Sequence, residues 1–290
     1  MDFSHATILC LGDIMLDRFA YCDTERISPE APVPVLLLKR TQSMLGGVGN
    51  VARNIAALGG TAVLMGLLGQ DQAGDEVRAL IGATAGIVDG HAASAGRPTI
   101  CKTRYIAGHQ QLVRVDEESP HDLAAAEEAA LAAALDRHLA DCNAVILSDY
   151  AKGTLAPSII ETAIARADML GIPVYVDPKS TDFGRYRGAA CIAPNLRELA
   201  AAAQMPVATD ADIIAAAKKV MHAAGANAIL VTRSEKGMAL VEASGAVYIE
   251  SARAREVFDV SGAGDTVMAV LALAGASGHS LQQAMHLANA

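Results

Sequence analysis

Short β-type runs alternate with longer alanine-rich stretches along almost the whole chain, and this alternation restricts the fold more than any other feature. Ile8–Gly12 reads as a buried strand, Val51–Leu58 as a helix closed by Gly59-Gly60, and Ala62–Leu68 as the next strand. Ala124–Ala140 reads as a helix, Ala144–Ser148 as a strand ending at Asp149, Pro157–Leu170 as a helix and Pro173–Asp177 as a strand. The pattern continues through the short strand Ile192–Pro194, the helix Ala211–Ala224, the strands Ala228–Thr232 and Met238–Val241, and the helices Val267–Ala274 and Ser280–Ala290. Strands that return between helices bury both faces, so the order predicts an α/β chain with a mostly parallel central sheet flanked by helices.

Two segments break the alternation. Arg18–Arg40 carries Pro29, Pro32 and Pro34 before the run Val35-Leu36-Leu37-Leu38, and Thr99–Glu117 alternates polar and apolar residues. Both read as strands of a second, smaller sheet. They predict a β lid, about residues 18–40 and 99–117, inserted into one domain that spans 1–290.

Composition excludes several classes. With 52% hydrophobic and 19% charged residues the chain is not disordered. A net charge of -9 and the absence of Trp argue against a nucleic-acid partner. No apolar run approaches the roughly 18 residues of a membrane span, and Met1 to Thr7 lacks the pattern of a signal peptide. The five cysteines form no CxxC pair, which argues against a disulfide framework or zinc knuckle and fits a reducing cytoplasm.

The chemistry-bearing stretch is Asp259-Val260-Ser261-Gly262-Ala263-Gly264-Asp265-Thr266, which leads into an apolar helix. Small residues let the backbone approach a ligand. The N–H groups of Gly262, Ala263 and Gly264, at a helix N-terminus, suit an anion. Asp265 in the same turn suits removal of a proton from an attacking hydroxyl; a Gly-rich turn with an Asp cap would give the same string. Asn195 and Glu198 share a helix face at i and i+3, suited either to a capping box or to Mg²⁺. Thr232, Ser234 and Gly237 follow an apolar strand, at the sheet edge where open α/β folds bind ligands, though an ordinary turn looks the same. Lys102 and Arg104 are two apart, and so project from one strand face, suited either to a substrate phosphate or to guarding an edge strand. Arg114 lies on the same alternating segment. Lys179, Asp149 and Lys152 follow strand ends. Gly47-Val48-Gly49-Asn50-Val51-Ala52 formally matches the dinucleotide fingerprint but does not follow the first strand, and no GxxxxGK[ST] is present.

Together these strings resemble the ribokinase-like sugar kinases. The resemblance rests on Gly262-Ala263-Gly264-Asp265, on Gly46-Gly47 with Asn50, and on Gly12-Asp13-Ile14-Met15-Leu16-Asp17. The strings Arg26-Ile27-Ser28-Pro29-Glu30-Ala31-Pro32-Val33-Pro34-Val35 and Leu147-Ser148-Asp149-Tyr150-Ala151-Lys152-Gly153 narrow it to the branch acting on D-glycero-β-D-manno-heptose 7-phosphate. Val176-Asp177-Pro178-Lys179, Pro194-Asn195-Leu196-Arg197-Glu198 and Val231-Thr232-Arg233-Ser234-Glu235-Lys236-Gly237-Met238 complete the set.

The resemblance implies an ATP- and Mg²⁺-dependent kinase that phosphorylates O1 of that heptose to the 1,7-bisphosphate, for ADP-heptose and lipopolysaccharide core synthesis. It implies Asp265 as base, with Gly262, Ala263 and Gly264 as anion hole. Asp17, Gly46, Gly47, Asn50, Lys102, Arg104 and Arg114 would face the sugar phosphate. Asn195, Glu198, Thr232, Ser234, Gly237 and Lys179 would face ATP, with Asn195 and Glu198 holding Mg²⁺ through water. It further implies a homodimer paired through the lid, a chain continuing past Ala290, and possible fusion to a nucleotidyltransferase domain. A kinase for another sugar, or a sugar-binding regulator of the same fold, are the alternatives.

Overall fold

The computed structural model describes residues 2–119, 122–252 and 262–289. In chain order, β1 (Thr7–Gly12) leads almost directly into β2 (Ile14–Ile27), which turns back as β3 (Pro34–Gly47) and enters α1 (Val48–Ala57). Then come β4 (Thr61–Met65), β5 (Leu67–Gly69), α2 (Gln72–Ala83), β6 (Ile87–Asp89), β7 (Ala92–Ser94) and the hairpin β8 (Ile100–Ala107) and β9 (Gln110–Glu117). The second half runs α3 (Ala125–His138), β10 (Ala144–Ser148), α4 (Pro157–Met169), β11 (Val174–Asp177), β12 (Cys191–Ile192), α5 (Leu196–Ala203) and α6 (Asp210–Ala224). It ends with β13 (Ala228–Thr232), β14 (Met238–Glu242), β15 (Val247–Glu250), α7 (Ala263–Ala276) and α8 (Leu281–Ala288).

Among the described residues, nine strands form one sheet in the order β15-β14-β13-β12-β11-β10-β1-β4-β6. Neighbours from β6 to β13 are all parallel, and only β14 runs against its neighbours. The central strands are apolar throughout because helices cover both faces. On one face, Leu131 and Leu135 of α3, Ile159 and Ile160 of α4, Leu199 of α5 and Ile213 of α6 pack in one core. On the other, Val51 and Ile55 of α1, Val77 of α2, Leu271 and Leu273 of α7 and Met285 of α8 form a second. Every residue of α7 from Val267 to Ala274 is buried, which a helix apolar on all sides requires. No helix among the described residues is long and apolar enough to cross a membrane.

The four-stranded lid sheet has the order β3-β2-β8-β9. β2 and β3 pair antiparallel from Ile14↔Gly47 to Ile27↔Pro34, and β8 joins β2 in parallel. These strands start nearer the core than the expected 18–40 because β2 springs from the end of β1 and β3 runs on into α1. The stretch 62–68 is not one strand. A Cβ at Gly66 would lie 2.4 Å from the Gly12 carbonyl oxygen, so the backbones cross closely there. Leu67–Gly69 turns away to pair with β7 in a separate two-stranded sheet. α7 opens at Ala263 instead of Val267, and α2 was not anticipated.

All five cysteines are free and buried. Cys22 and Cys101 lie in the lid strands β2 and β8; Cys10, Cys142 and Cys191 lie in or beside β1, β10 and β12. Burial pushes the thiols of Cys142 and Cys191 up to about 12.

Candidate active site

A cavity of about 180 Å³ opens where β10, β11 and β13 end and α7 begins. A parallel sheet delivers its loops to one edge, so residues distant in sequence meet there. Asp149, Asp177, Asn195, Thr232, Gly262 and Asp265 are among its walls.

Asp265, in the first turn of α7, is 6% exposed. Its Oδ2 accepts from Asn50 Nδ2 at 2.6 Å, and its Oδ1 accepts from the Tyr150 hydroxyl at 3.0 Å. Burial pushes its carboxyl above the ordinary carboxylate value; the Asn50 and Tyr150 donors pull it down, and Asp17 raises it. Gly262 precedes α7 at φ 80, where a side chain is strained, and a Cβ there would stand 2.8 Å from Asn50 Nδ2. No side chain among the described residues caps this end of α7. Gly262 and Gly264 line the cavity, so the N-terminus of α7, the positive end of its helix dipole, borders it. Residues 259–261, the start of the motif, lie outside the described residues.

Asn50 sits in the first turn of α1, reached through Gly46-Gly47. A Cβ at Gly46 would come within 2.1 Å of Asp17 Oδ2, so only glycine leaves room for that carboxylate. Asp17 Oδ1 accepts from Arg104 at 2.6 Å, across the β2–β8 pairing. Asp17, Asn50 and Asp265 are thus gathered at one end of the lid, and Arg104 is engaged with Asp17 instead of standing free. Arg114 stands opposite Arg104 in the β8–β9 register but is engaged elsewhere: it grips Asp116 with both Nε (2.7 Å) and a terminal nitrogen (3.0 Å) on an exposed strand. Lys102 faces Asp17 on one side and Asp116 on the other in the strand register. Burial pushes its amine below the ordinary lysine value, Asp116 opposing. Lys152 donates to Glu118 at 2.5 Å.

At the cavity's other end Asn195 and Glu198 do form a capping box on α5. Asn195 Oδ1 accepts from the Glu198 N–H (2.9 Å) and Glu198 Oε2 from the Asn195 N–H (3.0 Å). Both also line the cavity, and Lys179 Nζ donates to Glu198 Oε1 at 2.9 Å. The Thr232 N–H donates to the Pro194 carbonyl (3.0 Å), tying β13 to this cap. Asp177 shares the wall, its carboxyl pushed up by burial and by Asp265 and Glu198. Ser234 and Gly237 are not among the cavity walls: they close the tight turn between β13 and β14, with Gly237 N–H donating to the Ser234 carbonyl at 3.1 Å.

Two residues that the spacing of motifs does not single out belong to this site. Tyr150 touches Asp265. Asp13, fully buried, accepts from the backbone N–H groups of Tyr150, Lys152 and Thr154. A charged residue directly after an apolar strand at the ligand-binding sheet edge is the signal that marks Asp13.

Residues 5–290 match the family described as pfkB family carbohydrate kinase. The bifunctional protein HldE of Gluconacetobacter diazotrophicus is 61% identical over 290 residues, which cover this whole chain and 60% of that protein. The protein of the same name from Granulibacter bethesdensis is 54% identical over 296 residues, covering the whole chain and 61% of that protein. The chain therefore spans about three-fifths of the length of these curated relatives. Among solved structures, Arabidopsis thaliana ribokinase complexed with ribose and ATP is similar with a TM-score of 0.74 at 21% identity, over 98% of this chain and 90% of that one. Escherichia coli phosphofructokinase-2, in its tetrameric inhibited form, gives a TM-score of 0.78 at 19% identity, over 98% and 91%. At these identities the likeness is one of fold, the ribokinase-like α/β architecture.

Proposed function

We propose a specific reaction for this chain, which belongs to the pfkB family of carbohydrate kinases: transfer of the γ-phosphoryl group of ATP to O1 of D-glycero-β-D-manno-heptose 7-phosphate, giving the 1,7-bisphosphate on the way to ADP-heptose for lipopolysaccharide core. The observation that carries it is Asp265, a buried carboxylate held by Asn50 in the first turn of α7, in one cavity with Asn195, Glu198 and Thr232. The heptose is chosen on the motif strings of the heptose branch, with the high identity to the HldE proteins in support.

In this reading Asp265 takes the proton of the O1 hydroxyl as that oxygen attacks the γ-phosphorus in line. The bond from phosphorus to the bridging oxygen breaks, and ADP leaves with the electron pair. The amides of Gly262, Ala263 and Gly264 receive charge on the transferring group. Asp17 and Asn50 orient the sugar, and Gly46 and Gly47 keep the backbone close enough for them to do so. Lys179, Asn195 and Thr232 face the nucleotide. Oxygen donors from Glu198, Asn195 and Asp177 suit a hard divalent cation, which Mg²⁺ with its retained waters would be. When bound it neutralises phosphate charge; Lys179 now lies against Glu198 and is free to turn to a phosphate instead. Lys102 is the leading candidate to read the 7-phosphate, because Arg104 and Arg114 hold carboxylates of their own.

The enzyme is further read as cytoplasmic and homodimeric, pairing through the lid. β9 is exposed along its whole length, and Leu37 and Leu38 of β3 are 53% and 55% exposed; an open strand edge with apolar neighbours is surface that proteins cover. The length of the relatives, and the word bifunctional in their name, support a second half with an activity of its own, which the resemblance to the heptose branch reads as a nucleotidyltransferase. The kinase reading is tested by ADP release with ATP, Mg²⁺ and a panel of sugars and sugar phosphates. Turnover on the heptose 7-phosphate alone is the expected result. Turnover on a different sugar alone would reassign the substrate, and silence across the panel would favour a sugar-binding regulator.

A further inference from the structure

Asp13 stands where β1 passes into β2, with no exposed surface. Its Oδ2 accepts from the N–H of Tyr150 (3.1 Å) and Lys152 (3.0 Å), and its Oδ1 from the N–H of Thr154 (3.0 Å). Three amides on one buried carboxylate wrap the segment after β10 around a fixed point. The same segment is held elsewhere as well. The Ala151 N–H donates to Asp149 Oδ1 at 2.8 Å, and the guanidinium of buried Arg97 donates to the Lys152 carbonyl at 3.1 Å. Ala151 itself is left-handed at φ 55, a conformation that persists only where surrounding bonds enforce it.

The rigid segment carries Tyr150, whose hydroxyl reaches Asp265 Oδ1 at 3.0 Å. Burial and the adjacent carboxylates push the phenol well above its ordinary value, so it stays a donor. An ionised carboxylate offers about four lone-pair positions. Asn50 occupies one on Oδ2 and Tyr150 one on Oδ1. Two donors on different oxygens fix the plane of the carboxylate, and no third hydrogen bond to it comes from the described residues, which leaves lone pairs for a substrate hydroxyl.

We infer that Tyr150 is a positioning residue for phosphoryl transfer: its hydroxyl, aimed by the segment that Asp13 anchors, holds the Asp265 carboxylate in the plane from which it meets the attacking hydroxyl. This rests on the reading of Asp265 as the base.

The test is Tyr150→Phe, which keeps the ring and every backbone bond of the segment. Its kcat is expected to fall roughly 10- to 100-fold, the scale of a misplaced catalytic group, with KM for sugar and for ATP within about threefold of the parent and an unchanged Tm. The decisive comparison is a double-mutant cycle with Asp265→Asn. If Tyr150 acts through Asp265, the double variant is no slower than Asp265→Asn alone. Losses that multiply, or a Tyr150→Phe enzyme with the parent's kcat, overturn the inference while leaving Asp265 in place. An Asp265→Asn enzyme with the parent's kcat overturns the base reading itself and the inference with it. If the parent phosphorylates a different sugar from the panel, only the substrate assignment falls, and the cycle run on that sugar decides the role of Tyr150. Asp13→Asn should show the same loss confined to kcat, and should it fail to fold, the Tyr150 cycle decides on its own.

Discussion

At the residue scale two hydrogen-bond donors and a buried setting tune one carboxylate, Asp265, the base of the proposed reaction. Asp265→Asn is nearly isosteric but cannot accept the proton, so kcat should fall about 10²–10⁴-fold with folding and sugar binding retained. Burial raises the Asp265 carboxyl, so the ionised base is lost while pH is still above the ordinary carboxylate range. The acid limb of kcat, measured at saturating substrates, should sit correspondingly high. The Asn50 donor acts in the opposite sense, so Asn50→Ala should move that limb to higher pH. Lys102→Met should raise KM for the 7-phosphate roughly 10- to 100-fold, as loss of a charge-assisted contact would. It should leave ATP affinity alone and narrow the preference over unphosphorylated heptose. A variant that keeps the parent's preference would mean that the phosphate is read elsewhere, with Lys179 or Lys152 next to be tested although each now holds a carboxylate, Glu198 and Glu118. Asp265 and Asn50 stood out as candidates because each opens a helix behind a glycine-rich turn, and the structure brings the two side chains into one hydrogen bond. Tyr150 and Asp13 were not singled out, because their roles depend on contacts spanning 115 and 137 residues that no local spacing encodes. Arg104 and Arg114 looked free in sequence for the same reason: the alternation shows which face a cation takes, not which carboxylate awaits it.

At the element scale, α5 carries both readings of its first turn, and the two can be separated. Asn195→Ala removes the cap acceptor and should cost about 1 kcal/mol of stability, read as a lowered Tm. Glu198→Gln can still accept from the Asn195 N–H, since Gln serves in a capping box, so its Tm should hold while the Mg²⁺ concentration needed for half-maximal rate rises. An unchanged Mg²⁺ profile would leave Glu198 as a cap only. The strand–helix alternation was legible because buried parallel strands and their covering helices each carry an unbroken apolar signature. α2 was missed because Gly74 and Gly82 lower its helical propensity and only Val77, Ile81 and Gly74 are buried along it. The break after Met65 was missed because apolar residues lie on both sides of Gly66, and the reason for the break is a backbone approach from Gly12.

At the scale of the whole molecule, the lid grows from the end of β1 and the start of α1, so its sheet is continuous with the segments that hold Asp13 and Asn50. If lids pair between subunits, Leu38→Asp should shift the protein to monomer in analytical ultracentrifugation while its circular dichroism stays that of the parent. A monomeric parent would dismiss the pairing. The two sheets also divide the cysteines between them, and this makes the chain its own gauge of local opening. A sealed thiol reacts with an alkylating reagent only during the moments when its surroundings open. Cys22 and Cys101 therefore time the opening of the lid, and Cys10 and Cys191 that of the central sheet. Pulsed alkylation across a gentle urea series, resolved by peptide mass, should modify the first pair at concentrations where the second is still silent, because β9 and much of β3 give the lid far less cover than helices on both faces give β1 and β12.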